Sequence, residues 1–359
     1  MIRPLLATMF WISMSATATE AVISPPTPAQ VLAVPSDLRA DFHERVLAVE
    51  RSPPRRLEQL VDYLFSSTGL GIEYQADATY TVAEAWAARR ANCLTFTLLS
   101  IALAREAGLE AYGQEISEIL AWRTIDKTIY LSNHVNAGVR IRGKRLTVDV
   151  ALNEVITTEP PRMINDARLI AHYYNNRAVA LLNAGNLEAA IVHAEASLAQ
   201  DRNFATSWSN LGVLRRHGGD EAGAFDDFQH ALTLDAEHPG ALSNLAMYFS
   251  RHGERQRAGI LLAKLESVRA RNPLHQFMLA LDAEMGRDFE LAAKHFRRAI
   301  RLHEGEHSFH FGLARAYFHL GRTREAEREL QRAEALSSGE VRERYQTKLE
   351  RLRALAIAR

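Results

Sequence analysis

A single cysteine, Cys93, stands in 359 residues, so the chain closes no disulfide of its own and builds no cysteine-based zinc or iron–sulfur cage. Net charge is also absent. The 43 Lys and Arg balance 43 Asp and Glu, which gives no pull toward nucleic acid or an anionic membrane. No stretch reaches the ~20 uninterrupted apolar residues of a transmembrane helix. Bias toward disorder is missing too, since 47% of residues are apolar and 24% charged. At roughly 150 residues per domain the length suggests two domains. For Cys93 three fates remain: an inert core thiol, an intermolecular bridge, or a nucleophile.

Residues 1–18 read as a signal peptide and 19–36 as a Pro-rich linker. Arg3 supplies a positive charge, Leu5 to Met14 an apolar run too short to span a bilayer, and Ala16-Thr17-Ala18 a small-x-small cleavage pattern. Pro25-Pro26-Thr27-Pro28 follows. No cysteine directly follows the run, which excludes a lipoprotein anchor. The expected location is the periplasm or the exterior, or the cytoplasm if the segment is not cleaved.

The second half repeats. Ala190, Ala224, Ala258, Ala292 and Ala326 recur every 34 residues, and Ala178, Gly212, Ala246, Ala280 and Ala314 stand twelve residues before them. Two antiparallel helices per unit that cross closely demand a small side chain on each at the crossing. Gly185, Gly219, Gly253 and Gly321 mark the turns between them. This pattern over residues 168–338 resembles the tetratricopeptide repeat. Trp208, Leu211, Gly212, Ala224, Phe228 and Ala231 occupy its signature positions in the second unit, and Leu313, Ala314, Tyr317, Ala326 and Ala333 in the fifth. The first unit departs with Arg177 for leucine, the third with Leu262 and Leu265, and Pro239 and Pro273 fall late for unit-ending prolines. Residues 339–359 read as a capping helix. The resemblance implies a protein or peptide partner on the concave surface. His303, His307 and His310 straddle an inter-unit turn and read as solvated rather than metal-binding. The Arg-rich faces around Arg297, Arg298, Arg301 and Arg322 to Arg332 alternate with glutamates and read as solvated.

Residues 37–160 change period. Helices are expected over Asp37–Val49, Arg56–Phe65 and Thr81–Arg89, with loops at Gly69–Ala78 and Arg90-Ala91-Asn92. Cys93 opens an apolar helix ending at Gly108, and strands are expected over Glu110–Ile116, Thr128–Ile141 and Lys144–Val150. A thiol in the first turn of a helix lies where unpaired N–H groups favour an anion and can hold an oxyanion. If Arg142-Gly143 is a two-residue turn, residue i faces 285 − i, and Asp149 shares a face with His134 as its diagonal neighbour. A carboxylate within Leu146-Thr147-Val148-Asp149-Val150 is costly to bury unpaired. On the residues alone a Cys–His–Asp triad and a structural role stand level.

Ala91-Asn92-Cys93-Leu94-Thr95-Phe96, the helix through Ala104-Arg105-Glu106-Ala107-Gly108-Leu109, His134-Val135-Asn136 and Val148-Asp149 resemble a transglutaminase-like domain of the papain-type thiol superfamily. Tyr173-Tyr174-Asn175-Asn176 further resembles bacterial proteins that join such a domain to tetratricopeptide repeats. Ala91 stands where glycine is common, and Val135-Asn136 replaces the Ala-Trp frequent in transglutaminase-like enzymes. The resemblance implies an α+β cysteine-proteinase-like domain before an all-α solenoid. It makes Cys93 the nucleophile, His134 the general base and acid, and Asp149 the orienting group, with no cofactor. Gln114 and Trp122 are candidate lining residues. Amide or peptide hydrolysis through a thioester is the first expectation, transfer to an amine the second, and a non-catalytic interaction scaffold the third.

Overall fold

The computed structural model describes residues 24–66, 68–125, 128–148 and 161–357, with backbone alone over 117–125, 128–134 and 354–357. The first part is built around α5 (Cys93–Glu106), in which every residue from Leu94 to Ala104 is buried. A helix apolar on all sides belongs at the centre of a core. Around it lie α1 (Pro28–Val31), α2 (Ser36–Phe42), α3 (Pro53–Phe65) and α4 (Val82–Ala88). The helix expected over Asp37–Val49 is α2 continued by a π-helical segment, His43–Leu47. Pro53 and Pro54 open α3 instead of standing before it, because proline's missing N–H is harmless in the first turn. The tract read as linker is partly packed: Val31 is fully buried in this core, and Leu32 and Val34 lie against it. The two expected loops pair in parallel as β1 (Glu73–Tyr74) and β2 (Arg90–Ala91).

An antiparallel sheet covers α5 in the order β5-β4-β3-β6, from β3 (Glu110–Ile125), β4 (Thr128–Ile141), β5 (Lys144–Val148) and β6 (Arg162–Ile164). Alternation places Ala111, Val135, Ala137, Val139 and Ile164 in the core with α5. β3 outruns its expected end at Ile116, with register shifts at Ile119 and Ala121. Arg142 and Gly143 both have positive φ, 50° and 79°, as a tight hairpin turn requires. The pairs Ile141 with Lys144 through Ala137 with Val148 follow the 285 − i register.

Five antiparallel helix pairs follow: α6 (Asp166–Asn183) with α7 (Leu187–Gln200), α8 (Ala205–His217) with α9 (Glu221–Leu234), α10 (Pro239–Arg251) with α11 (Arg255–Ala270), α12 (Pro273–Met285) with α13 (Phe289–Leu302), and α14 (His307–His319) with α15 (Thr323–Leu336). A final helix, α16 (Gly339–Ile357), packs on α15. The ten small residues of the 34-residue pattern are buried at the crossings. At Gly212 a Cβ would stand 2.7 Å from the Phe228 ring and 3.0 Å from the Ala224 carbonyl oxygen, so even alanine is too large there. Pro239 and Pro273 are late because they open α10 and α12. In the fourth unit Arg287, at φ 60°, takes the left-handed position that Gly185, Gly219, Gly253 and Gly321 fill elsewhere. The first helices of successive pairs touch, α6 with α8, α8 with α10, and α12 with α14, and so form an inner layer. No described helix is long and apolar enough to cross a membrane.

Candidate functional site

Cys93 is the first residue of α5 and is half-buried. Asn92 caps the helix: its Oδ1 accepts from Thr95 N–H at 2.9 Å, and its Nδ2 donates to Thr79 Oγ1 at 2.7 Å. The helical ladder begins with Phe96 N–H to the Asn92 carbonyl, so the N–H groups of Cys93 and Leu94 precede it. One turn on, the Thr97 hydroxyl lies 3.0 Å from the Cys93 carbonyl oxygen and donates to the Val135 carbonyl oxygen at 2.8 Å. That bond fixes the thiol-bearing turn against β4, at the residue after His134. The His134 backbone pairs with Ile116, and its side chain lies outside the described residues. Asp149 also lies outside them, one residue beyond Val148, which pairs with Ala137. The structure thus joins the helix of Cys93 to the strand of His134 and leaves Asp149 unplaced.

Gln114 does not share the face on which α5 packs. It pairs with Asn136, opposite in pleat to Val135 and Ala137, and its Oε1 accepts from Thr147 Oγ1 at 3.1 Å. Its role in the described structure is to cross-link strands β3 and β5 over β4. Trp122 pairs through its backbone with Leu131, and its side chain lies outside the described residues.

Arg177, the departure in the first repeat, has a local reason. Its guanidinium reaches the Thr79 carbonyl at 3.4 Å and lies 6.0 Å from the centre of the Tyr80 ring. It therefore binds the loop that holds Asn92, where a leucine would leave that carbonyl without the contact.

An ionic cluster centred on the buried Glu115 and His172 joins sheet and repeats, and the sequence carried no signal for it. Glu115 on β3 receives His172 Nε2 at 2.9 Å, Arg162 Nη2 at 2.6 Å and Arg168 Nε at 3.3 Å. Arg168 also holds Asp201 at 2.9 Å. Burial opposes ionisation of Glu115, but the His172 hydrogen bond and the arginine charges outweigh it and hold the carboxyl well below the usual range. Burial pushes His172 down despite Glu115, so the neutral ring donates from Nε2 to a charged carboxylate.

The three turn histidines are not uniformly solvated. His310 is buried, with Nδ1 2.7 Å from Glu329 Oε2 and Nε2 3.2 Å from the Glu304 carbonyl. His307 Nδ1 lies 3.0 Å from Tyr345 Oη on α16. The physical reason is that α15 and α16 pack against the start of α14, bringing Glu329 to His310 and Tyr345 to His307. Among the described residues no group of three His, Cys, Asp or Glu is placed to hold a metal. Of the arginines in the regions read as solvated, Arg322 pairs with Glu325.

The inner layer of the repeats meets the sheet, with α8 and α10 lying against β4. Within that layer Asn210 Nδ2 donates to Asn175 Oδ1 at 3.0 Å, and Arg216 to Asn244 Oδ1 at 3.3 Å.

Residues 171–241 and 277–341 match the family model of the tetratricopeptide repeat. Two curated relatives are the photosystem I assembly protein Ycf3 of Prochlorococcus marinus, strains MIT 9313 and MIT 9303. The first is 26% identical over 146 residues, 40% of this chain and 72% of that protein. The second is 28% identical over 101 residues, 27% of this chain and 58% of that protein. Among solved structures, MamA from Desulfovibrio magneticus RS-1 is 17% identical, with 46% of this chain and 94% of that one covered and a TM-score of 0.26. YrrB, described as a tetratricopeptide-repeat protein with an unusual peptide-binding site, is 18% identical, with 50% and 92% covered and a TM-score of 0.27. The 34-residue register, the helix pairs it forms and the family match agree: the C-terminal part of this chain carries tetratricopeptide repeats.

Proposed function

We propose that the chain is an exported protein-interaction scaffold whose repeats hold a protein or peptide partner. The observation that carries this is the stack of five helix pairs with a family match, presenting one inner layer of helices. The name of the Ycf3 relatives, assembly proteins, accords with a partner-holding role. The N-terminal segment that suggests export lies outside the described residues. Selection of a random peptide display library on the full chain is expected to yield peptides that bind wild type and Cys93→Ser alike. Recovery of none overturns the scaffold.

A second reading is favoured by the position of Cys93 in the first turn of α5, bound through Thr97 to the strand of His134. In it, a transglutaminase-like site attacks a carboxamide. The thiolate sulfur bonds to the carbonyl carbon, and the amine leaves with a proton from His134. Water or a second amine then displaces the sulfur from the thioester. Asp149 orients the imidazole. A thiol-directed electrophile is expected to label wild type, not Cys93→Ser, and to label His134→Ala weakly. Equal labelling of His134→Ala removes the triad.

A further inference from the structure

The inner layer of the repeats changes character along its length. α8 and α10 lie against β4, and on those helices Asn210 and Asn244 are 3% and 1% exposed. The next residue in the same 34-residue register, Met278 on α12, is 49% exposed, and Met285 at the end of that helix is 76% exposed. The helices that lie against β4 thus carry buried asparagines in this register, and an exposed apolar stretch follows on α12. Met278, Leu281 and Met285 line one hollow with Asp282, Glu284 and Arg315. Phe311, Phe318, Leu330 and Leu352 line a second, of about 300 Å³, between α14, α15 and α16. Arg315 walls both, so the two hollows adjoin and are taken together as one trough, and its guanidinium is already engaged by Glu284. Lys348 and Arg351, which also line the second hollow, have no acidic partner among the described residues, and Lys348 lies 5.3 Å from the centre of the Phe311 ring.

We infer that this trough, and not the stretch beneath β4, is where the scaffold proposed above takes its partner, and that the partner segment is apolar with an acidic side chain. Apolar side chains displace water from Met278, Met285 and Phe318, and the flexible thioethers of the two methionines adapt to varied shapes. An Asp or Glu of the partner meets Lys348 and Arg351, which supply charge complementarity at the rim. The inference rests on the scaffold reading and restricts it, since α8 and α10 of the second and third pairs already lie against β4.

The test takes random peptides displayed between fixed flanks and selected on the full chain, with synthetic copies titrated by fluorescence anisotropy. Recovered peptides are expected to combine apolar residues with Asp or Glu. Met285→Glu or Met278→Lys should weaken them at least tenfold, and so should Lys348→Glu with Arg351→Glu. That double reversal should also select Lys or Arg in place of the acid. His217→Glu, the register equivalent of Met285 on α8, should leave binding unchanged. Peptides that ignore the trough substitutions overturn this inference and leave the scaffold standing. Recovery of no peptide overturns both. The substituted side chains are exposed, and cooperative melting of each variant confirms its fold.

Discussion

The hydroxyl of Thr97 donates to the carbonyl oxygen of Val135 across 2.8 Å, tying the helix that begins at Cys93 to the strand that carries His134. Thr97 is 5% exposed and Val135 3%, so no solvent replaces the bond if it is lost. Thr97→Val keeps the shape and removes the donor. The orphaned carbonyl should cost about 1–3 kcal/mol in urea denaturation. Under the thiol reading, the rate of Cys93 alkylation should change with it; an unchanged stability would show that the bond contributes nothing.

Gly212→Ala places a Cβ 2.7 Å from the ring of Phe228, which is 1% exposed and cannot swing away. Overpacking of this kind should lower stability by about 1–3 kcal/mol. Phe228→Leu in the same chain should restore part of that loss. Additive losses in a double-mutant cycle would contradict the close contact.

Arg287 occupies φ 60° between α12 and α13, where its Cβ is strained and no β-carbon is needed. Relief of left-handed strain in Arg287→Gly should raise stability by about 1 kcal/mol, seen as a higher melting temperature. Gly321→Ala, at φ 72° in the next unit, should lower it by a similar amount. If both changes shift the melting temperature the same way, backbone strain is not the cause.

Acid should loosen the junction of sheet and repeats. Glu115 is held below its ordinary carboxylate range, so its contribution is present above about pH 4.5 and is lost as pH falls further. His172 is also pushed below its ordinary value, so its neutral form favours the fold, and that contribution fades below about pH 6.5. Both act in one direction. Glu115→Gln leaves Arg162 and Arg168 without their buried partner and should cost about 3 kcal/mol at pH 7. Its stability should also fall less steeply than wild type's between pH 6 and pH 3. Parallel pH curves for the two proteins would refute the assignment.

The helix start at Cys93, the hairpin register through Arg142-Gly143 and the 34-residue spacing were all legible, because each depends on neighbours close in sequence. A cap acts within four residues, a two-residue turn fixes pairing, and a helix crossing repeats its demand for a small side chain. Strand β6 was not legible. Three residues with exposed Arg162 and Met163 carry no pattern of their own, and only pairing with Gly113 to Glu115 makes them a strand. Arg177 looked like a flaw in the first repeat because its partner, Thr79, stands 98 residues away. His310 looked solvated because the turn around it is polar in sequence, while packing by Glu329 and Glu304 buries it.

By itself the sequence determined the repeat register, the small residues at its crossings and a single thiol at a helix start, since these follow from local geometry and periodic packing. Only the tertiary structure decided that Glu115 and His172 meet, that Gln114 faces away from α5, and that β4 lies against α8 and α10 while Met278, Met285 and Phe318 stay exposed. Those outcomes depend on which surfaces distant segments bury against each other. Burial of that kind is set by the summed packing of the whole chain and leaves no pattern in any one stretch.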